Sequence, residues 1–190
     1  AFFVGDAMGM PTEFMTRAEI RAQFGGILDC LLPPERSKNH SDLPFASVTD
    51  DTEQNLYLYD AYCARGEVTV EDTVACLLRW IRETGAIEKR YIGPSSLKAL
   101  RDIENGVSPL EAGQGGTTCG GIMRAPCAVL FAPEQSLAAL AENLYRCLLP
   151  THNTSQALEA AGAYAFALRR ALDGGGYEEI LAAGMEGADL

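Results

Sequence analysis

Apolar residues recur at helical spacing along most of this chain, and this periodicity constrains the fold more than any other feature. Positions three and four apart share one face of an α-helix. Alternating, strand-like segments are short and scarce. The sequence therefore predicts an all-α fold, a compact bundle of several helices. Three long apolar stripes carry the prediction: Val74, Leu77, Leu78 and Ile81; Leu137, Leu140, Ala141, Leu144 and Leu148; and Ala157, Ala161, Tyr164, Leu168 and Leu172.

Helix start signals and chain length suit a single helical domain over residues 1–190. Thr16 with Glu19 and Thr69 with Asp72 resemble capping boxes, which open helices. A chain of 190 residues that is 47% apolar can bury a substantial core without cross-links. The chain begins without an initiator methionine and stops straight after a helical pattern. We therefore expect a fragment of a longer protein, lacking the extreme N-terminus and a C-terminal part.

Charge and composition exclude several classes of function. The net charge of −11 argues against a nonspecific nucleic-acid binder, because such proteins need clustered Lys and Arg. No run approaches the roughly 18 apolar residues that a membrane span requires, and no basic n-region precedes an apolar h-region in the sequence, so neither membrane insertion nor export is signalled. We expect a cytoplasmic protein whose six cysteines are reduced core residues. With two histidines and no Cys/His ligand spacing, any metal should be bound by oxygen.

An acidic cluster at residues 48–52 (VTDDT) is the strongest local indication of chemistry. It places two carboxylates and two hydroxyls where an apolar helical stretch begins, and such oxygen atoms suit hard divalent cations. The alternative is structural, since Thr and Asp are favoured at helix N-caps and first turns. Taken alone, the structural explanation is the commoner one. Other motifs in the chain change that balance.

The first segment adds two further carboxylates. If residues 1–8 form a buried helix, Asp6 must be neutralised by hydrogen bonds or by a cation. Glu13 follows Pro11, beyond the expected end of that helix, where it could take or give a proton. The polar segment 35–42 is interpreted as a mobile surface loop, either a lid over the acidic cluster or a connector without a role.

Two later motifs could bind a phosphate or a ribose. Residues 115–124 (GGTTCGGIMR) form a glycine-rich loop before an apolar helix, and helix N-termini bind phosphate. The loop matches neither a P-loop nor a dinucleotide fingerprint, so an ordinary flexible connection remains the alternative. His152 lies in a polar stretch before a long helix, where Asn153, Thr154 or Ser155 could supply the N-cap. The imidazole could still contact a ribose or phosphate.

Five motifs occur in order along the chain: GDAMGMPTEF at 5–14, TDDT at 49–52, GPSS at 93–96, GGIMR at 120–124 and TH at 151–152. Taken together, they resemble the ADP-ribosylglycohydrolase family, which includes the dinitrogenase reductase-activating glycohydrolase and the J1 crystallins. The resemblance spans about four fifths of the chain.

The resemblance implies a metal-dependent hydrolase that cleaves the glycosidic bond between ADP-ribose and a protein side chain, or in a related ADP-ribosyl compound. It implies two Mg²⁺ or Mn²⁺ ions bound by Thr49, Asp50 and Asp51, with Asp6 supporting the cluster. Glu13 matches an acidic residue of one branch that acts in proton transfer, so the implied catalytic residues are Glu13, Asp50 and Asp51. The residues implied to surround the distal ribose and phosphates are Gly120, Gly121, Met123, Arg124 and His152.

Departures from the family pattern leave other functions open. Cys119 stands where the family often has Asn, and Tyr91 stands where some branches carry an acidic residue. The family's remaining metal ligands come from a late Gly-x-Asp-x-Asp-Thr segment, and nothing similar occurs before Leu190. One alternative is therefore a non-catalytic ADP-ribose binder or a structural, crystallin-like protein. Another is a metal-dependent phosphohydrolase, although no nucleophilic Asp-x-Asp motif occurs.

Overall fold

The computed structural model describes residues 1–26, 28–89, 91–132 and 136–189. These residues form helices, turns and loops and no strand, which confirms the all-α prediction. No helix among them is long and apolar enough to cross a membrane. Ten α-helices lie in the described ranges: α1 (Phe2–Gly9), α2 (Arg17–Phe24), α3 (Asp50–Arg65), α4 (Val70–Thr84), α5 (Pro94–Glu104), α6 (Pro109–Ala112), α7 (Ala125–Phe131), α8 (Leu137–Leu148), α9 (Ser155–Leu172) and α10 (Tyr177–Gly187).

Internal contacts group the chain into two compact units, Ala1–Glu53 and Gln54–Leu190. The first unit holds α1, α2 and the first turn of α3, and the second holds the rest of α3 and the helices from α4 to α10. A single domain over residues 1–190 stays a prediction.

Within the first unit, α1 ends at Gly9 and a 3₁₀ turn, Met10–Thr12, follows it. The expected first helix is present, but it is not buried as a whole, since Phe3 and Val4 are largely exposed. Helix α2 begins at a capping box, as predicted. The Thr16 hydroxyl accepts from the backbone N–H of Glu19, and the Glu19 carboxylate accepts from the backbone N–H of Thr16.

The second unit buries an apolar core drawn from most of its helices. Helix α9 packs against α7, α8 and α10, and α4 packs against α5 and α8. At Thr69 the side chain accepts from the backbone N–H of Asp72 at 3.0 Å, so the predicted N-cap of α4 is present without the reciprocal half of a capping box. The largest fully buried apolar side chains are Trp80, Tyr62, Leu58, Leu77, Leu100, Leu140, Leu148, Val68 and Val129.

The cysteine prediction is partly wrong about location, and the reduced state of the thiols stays a prediction. All six cysteines are free of disulfides. Three of them are buried, but Cys30, Cys63 and Cys119 are exposed. Cys63 lies on α3 with apolar neighbours in sequence, yet its place on the exposed face of the helix keeps the thiol out of the core.

Candidate functional site

One pocket of about 430 Å³ collects the acidic residues of the first unit. Its walls come from α1, from the 3₁₀ turn that follows α1, and from the N-terminal end of α3. Sequence reasoning singled out five residues near the acidic cluster, and the structure brings all five to this pocket. The lining residues are Phe2, Gly5, Asp6, Gly9, Met10, Thr12, Glu13, Thr49, Asp50 and Asp51.

Asp6 closes the N-terminus of α3 from a distant point in the sequence. Its carboxylate accepts the backbone N–H of Thr49 at 2.9 Å, the Thr49 hydroxyl at 2.8 Å and the backbone N–H of Thr52 at 3.1 Å. These bonds satisfy donors that a helix N-terminus leaves without intrahelical partners. The capping function that could have explained the acidic cluster is thus supplied by Asp6.

Asp50 and Asp51 occupy the first turn of α3, where their environment opposes ionisation. Burial, followed by the charges of Asp51 and Glu13, raises the pKa of Asp50 from 3.8 to about 8. Burial, followed by the charges of Asp6 and Glu13, raises the pKa of Asp51 from 3.8 to about 6. Carboxylates that repel one another in a partly buried pocket form a region of strong negative potential that attracts cations.

These raised pKa values predict that the pocket destabilises the metal-free protein as pH rises. A carboxyl group whose folded pKa is raised contributes stability below its unfolded pKa of 3.8 and loses it as pH rises through its folded pKa. We expect Asp50→Asn with Asp51→Asn to raise the free energy of unfolding at pH 8 by on the order of 1–3 kcal/mol. At pH 4 the gain should vanish.

Urea unfolding of both proteins in chelator at pH 4 and pH 8 measures that difference. Because only the difference between the two proteins is compared, titrating groups that do not face the acidic pair, such as His152, cancel. A gain in stability that is equal at both pH values would contradict the prediction.

Glu13 follows the 3₁₀ turn and presents a half-exposed side chain to the pocket. Its Oε2 atom lies 2.5 Å from Nε2 of His40, a buried residue of segment 35–42. That segment was interpreted as a mobile surface loop. Ser37 and His40 are in fact buried within it, because both take part in hydrogen bonds that a solvated connector would not make.

The donor atoms of the pocket fit a hard divalent cation in kind but supply only part of a ligand set. Asp50 and Asp51 offer carboxylate oxygens, and the Thr49 hydroxyl, which donates to Asp6, keeps lone pairs for a cation. Within the described ranges, no group of three or more His, Cys, Asp or Glu side chains could hold a metal ion. A complete metal centre would need oxygen ligands beyond these residues.

The second predicted cluster lies wholly within the second unit. Gly120, Gly121 and Met123 belong to a 3₁₀ stretch, Cys119–Arg124, that leads into α7. Gly120 and Met123 are half-buried, whereas Arg124 and His152 are almost completely buried. Side chains this deeply buried support the exposed residues of the loop. The direct contact with a ligand that was expected of Arg124 and His152 stays a prediction.

A chain of hydrogen bonds runs through this second cluster. Arg124 Nη2 donates to the Thr151 hydroxyl at 2.5 Å, and this hydroxyl lies 2.9 Å from His152 Nδ1. On the other edge of the ring, Nε2 lies 3.2 Å from the Thr118 hydroxyl. Burial, followed by the positive charge of Arg124, lowers the pKa of His152 to about 4, so the imidazole is neutral at pH 7. Donation by Arg124 to Nδ1 at 3.3 Å favours the tautomer protonated on Nε2.

The glycine-rich loop is packed closely at Gly116, while its two interpretations, a ligand-binding loop and an ordinary connection, both stay predictions. Thr154 donates to the carbonyl of Gly116 at 2.8 Å, and a Cβ at Gly116 would lie 2.0 Å from the carbonyl oxygen of Thr151. Thr154 also caps α9 by accepting the backbone N–H of Ala157 at 3.4 Å. The polar stretch before α9 therefore both starts that helix and holds the loop.

This packing predicts opposite outcomes for two adjacent glycines. We expect Gly116→Ala to lower the free energy of unfolding by about 1–3 kcal/mol or more, because the new methyl group meets backbone. Gly115→Ala is the matched control, since a Cβ there meets nothing within 4 Å. Thermal unfolding of the two variants beside the parent measures the effect, and equal melting temperatures would contradict this account of the loop.

Sequence reasoning missed two residues that organise these clusters. His40 was noted only as one of two histidines, and nothing in its local sequence indicates a partner 27 positions away. Asn55 of α3 donates to the carbonyl of Met123 at 2.5 Å and accepts the backbone N–H of Cys127 at 3.1 Å. A signal for Asn55 was available, because Thr52 and Asn55 are polar residues three positions apart within a helix that needs a buried face.

Comparison with known proteins gives consistent matches. The ADP-ribosylglycohydrolase family model matches residues 1–189. The uncharacterized protein YegU of Escherichia coli is 31% identical over 179 residues, which cover 94% of this chain and 54% of YegU. An ADP-ribosyl-[dinitrogen reductase] glycohydrolase of Rhodospirillum rubrum is 33% identical over 79 residues, 42% of this chain and 25% of that enzyme.

A solved structure agrees with these sequence matches. A chain described as an ADP-ribosylglycohydrolase-related protein complex superposes with a TM-score of 0.72 at 30% identity, over 100% of this chain and 60% of the solved one. The chain thus spans a little over half the length of YegU and of the solved chain.

Proposed function

The chain belongs to the ADP-ribosylglycohydrolase family, and from this premise we propose that it carries part of the active site of a metal-dependent hydrolase. The bond cleaved is the glycosidic bond between ADP-ribose and a modified arginine or serine, or the equivalent bond of a small ADP-ribosyl compound. The observation that supports the proposal most is the pocket of residues 1–53, because Glu13, Asp50 and Asp51 all line it.

In this proposal Thr49, Asp50 and Asp51 contribute oxygen ligands to two Mg²⁺ or Mn²⁺ ions, and the remaining ligands come from outside residues 1–190. When bound, these ions supply Lewis acidity and orient the ribose hydroxyls. Asp6 keeps Thr49 and the first turn of α3 in place through its three hydrogen bonds. The chain's own part in metal binding is therefore to fix the two carboxylates on a capped helix end.

Hydrolysis at the anomeric carbon needs a proton transfer and a stabilised ribosyl cation. Glu13 is the proposed proton-transfer group, because its half-exposed carboxylate reaches the pocket while lying outside the capped turn. Positive charge develops on the ribose ring in the transition state, and the carboxylates around the pocket stabilise it.

The proposed site for the distal ribose and the phosphates is the loop that contains Gly120, Gly121 and Met123. Backbone N–H groups at the start of such a helical stretch suit anions. The buried Arg124 and His152 support the loop through Thr118 and Thr151. Their proposed part in ligand binding is to hold the loop in shape.

A release assay tests the proposal. Full-length protein is incubated with an ADP-ribosylated arginine peptide and an ADP-ribosylated serine peptide, in Mg²⁺, in Mn²⁺ and in EDTA, and free ADP-ribose is quantified by chromatography. We expect release from at least one peptide that depends on the divalent cation. Release that is undiminished in EDTA would overturn the metal-dependent mechanism.

A non-catalytic member of the family is the second candidate, favoured by Cys119 and Tyr91 in place of family residues. Titration calorimetry with ADP-ribose separates the two candidates. Tight binding without turnover on either peptide supports the binder. Absence of both binding and turnover leaves a structural role.

A further inference from the structure

The carboxylate of Glu13 has little rigidity of its own. Glu13 follows a 3₁₀ turn and lies outside it, and the Glu13 side chain is 46% exposed. Fixing a solvated glutamate in one rotamer costs conformational freedom. A group that transfers a proton in a fixed geometry therefore needs a neighbour that holds it.

His40 has the position and the rigidity to be that neighbour. Its side chain is 5% exposed, and Nε2 lies 2.5 Å from Glu13 Oε2. The backbone of His40 is itself held, since its N–H donates to the Ser37 hydroxyl at 3.1 Å and its carbonyl accepts the N–H of Leu43 at 3.1 Å. The imidazole is thus presented to Glu13 from an anchored turn.

A second tie from the same segment holds the backbone next to Glu13. Lys38 Nζ donates to the carbonyl of Phe14 at 3.0 Å and pairs with Glu19 Oε1 at 2.7 Å. Phe14 has φ of 60°, a left-handed conformation that is strained for a residue other than glycine. The segment from Ser37 to His40 therefore contacts both the side chain of Glu13 and the strained residue after it.

We propose that His40 is a positioning residue for Glu13, an inference that rests on the proposed function. The His40 Nε2–H donates to Oε2 and fixes the plane of the carboxylate, and proton transfer takes place at Oε1. The contact has little value for stability alone, because a polar contact with a half-exposed partner contributes little. Its value lies in reducing the conformations that Glu13 samples before the reaction.

Steady-state kinetics of His40→Phe and His40→Gln test the proposal. The phenyl ring fills the buried site without a donor, whereas the glutamine amide places a nitrogen at about the distance of Nε2. We expect H40F to lower kcat by about 10- to 100-fold with KM within twofold, as a small misplacement of a reacting group does. H40Q should restore most of kcat. A merely structural role for His40 predicts no such rescue.

A double-mutant cycle supplies the decisive comparison. If His40 acts only through Glu13, H40F should have no further effect on the residual rate of E13Q. Calorimetry of ADP-ribose binding should show unchanged affinity in H40F. If H40F fails to fold, His40→Asn takes its place, because the shorter amide keeps polarity but does not reach Oε2.

Each outcome has one meaning. Wild-type turnover with an undiminished kcat in H40F, or an equal loss from H40F with and without E13Q, would overturn the positioning role while leaving the proposed function intact. An absence of wild-type turnover on both peptides and on a small ADP-ribosyl compound would overturn the proposed function and the positioning role with it.

Discussion

Replacing Asp50 and Asp51 together with asparagine should abolish divalent-cation binding and reduce ADP-ribose release by at least about 10³-fold. Both side chains keep their size, so the pocket keeps its shape. The loss follows from charge, because neutral amides bind hard cations far more weakly than carboxylates. Calorimetry with Mn²⁺ and the release assay measure the two effects.

The same double substitution should make the metal-free protein more stable at pH 8, which distinguishes a binding site from a structural cluster. The raised pKa values of Asp50 and Asp51 mean that ionisation of both opposes folding. A substitution that lowers activity and raises the free energy of unfolding indicates a site whose charged groups serve to bind a ligand.

Asp60→Asn is the matched control for the acidic pair. Asp60 lies on the same helix, α3, and is exposed. Its substitution should leave cation affinity, turnover and the free energy of unfolding unchanged. Full cation binding by the Asp50/Asp51 double variant would show that these residues are not ligands, and the proposed metal centre would have to be abandoned.

Glu13→Gln should lower kcat by about 10²- to 10⁴-fold, the range expected when a group that transfers a proton is removed. The amide keeps the size of the side chain but does not exchange a proton at neutral pH. Since Glu13 is half-exposed and lies outside the capped turn, we expect KM, ADP-ribose affinity and the melting temperature to change little.

Glu35→Gln is the control for Glu13, because Glu35 is an exposed carboxylate of the same unit that does not line the pocket. Its kcat should equal that of the parent. Parental activity in E13Q would instead assign proton transfer to another group of the pocket, such as Asp51.

The sequence predicts the class of fold and the membership of the acidic pocket, because both depend on local signals. Helical periodicity and a carboxylate pair at a helix start can be recognised within a few residues. In α8 the predicted apolar stripe is confirmed at Leu140, Leu144 and Leu148, which are buried. Its first member, Leu137, is exposed.

The buried faces of α4 and α9 differ from the predicted stripes. In α4 the buried positions are Thr73, Cys76, Leu77 and Trp80. The buried face is therefore shifted by about one residue from the predicted stripe, and it includes the bulky indole of Trp80. Thr73 enters the core because its hydroxyl bonds the Tyr62 hydroxyl, a partner that periodicity does not reveal.

In α9 the reason is close helix approach. Tyr164 and Leu172 were expected inside and are exposed, whereas Gly162 and Ala165 are buried. A Cβ at Gly187 of α10 would lie 2.3 Å from the carbonyl oxygen of Gly162. Two helices that pack this tightly select small side chains at the contact, and a pattern scored by hydrophobicity overlooks them.

The long-range polar pairs of the site were equally hidden. Asp6 was expected to need hydrogen bonds or a cation, but the identity of its donors depends on which helix end comes to rest beside α1. His40 and Glu13 form a contact that only the folded chain creates. Sequence reasoning therefore identified the carboxylates and left their partners unknown.

The cap that Asp6 provides has a consequence for the order of folding. Asp6 and Thr49 are 43 positions apart, so the first turn of α3 acquires its cap only after a long loop has closed, at an entropic cost that a local cap would avoid. Apolar burial elsewhere along the same helix does not wait for that event. We therefore expect hydrogen exchange at Thr52 to be among the last to become protected during refolding, so that the N-terminal turn of α3 forms after the rest of the helix.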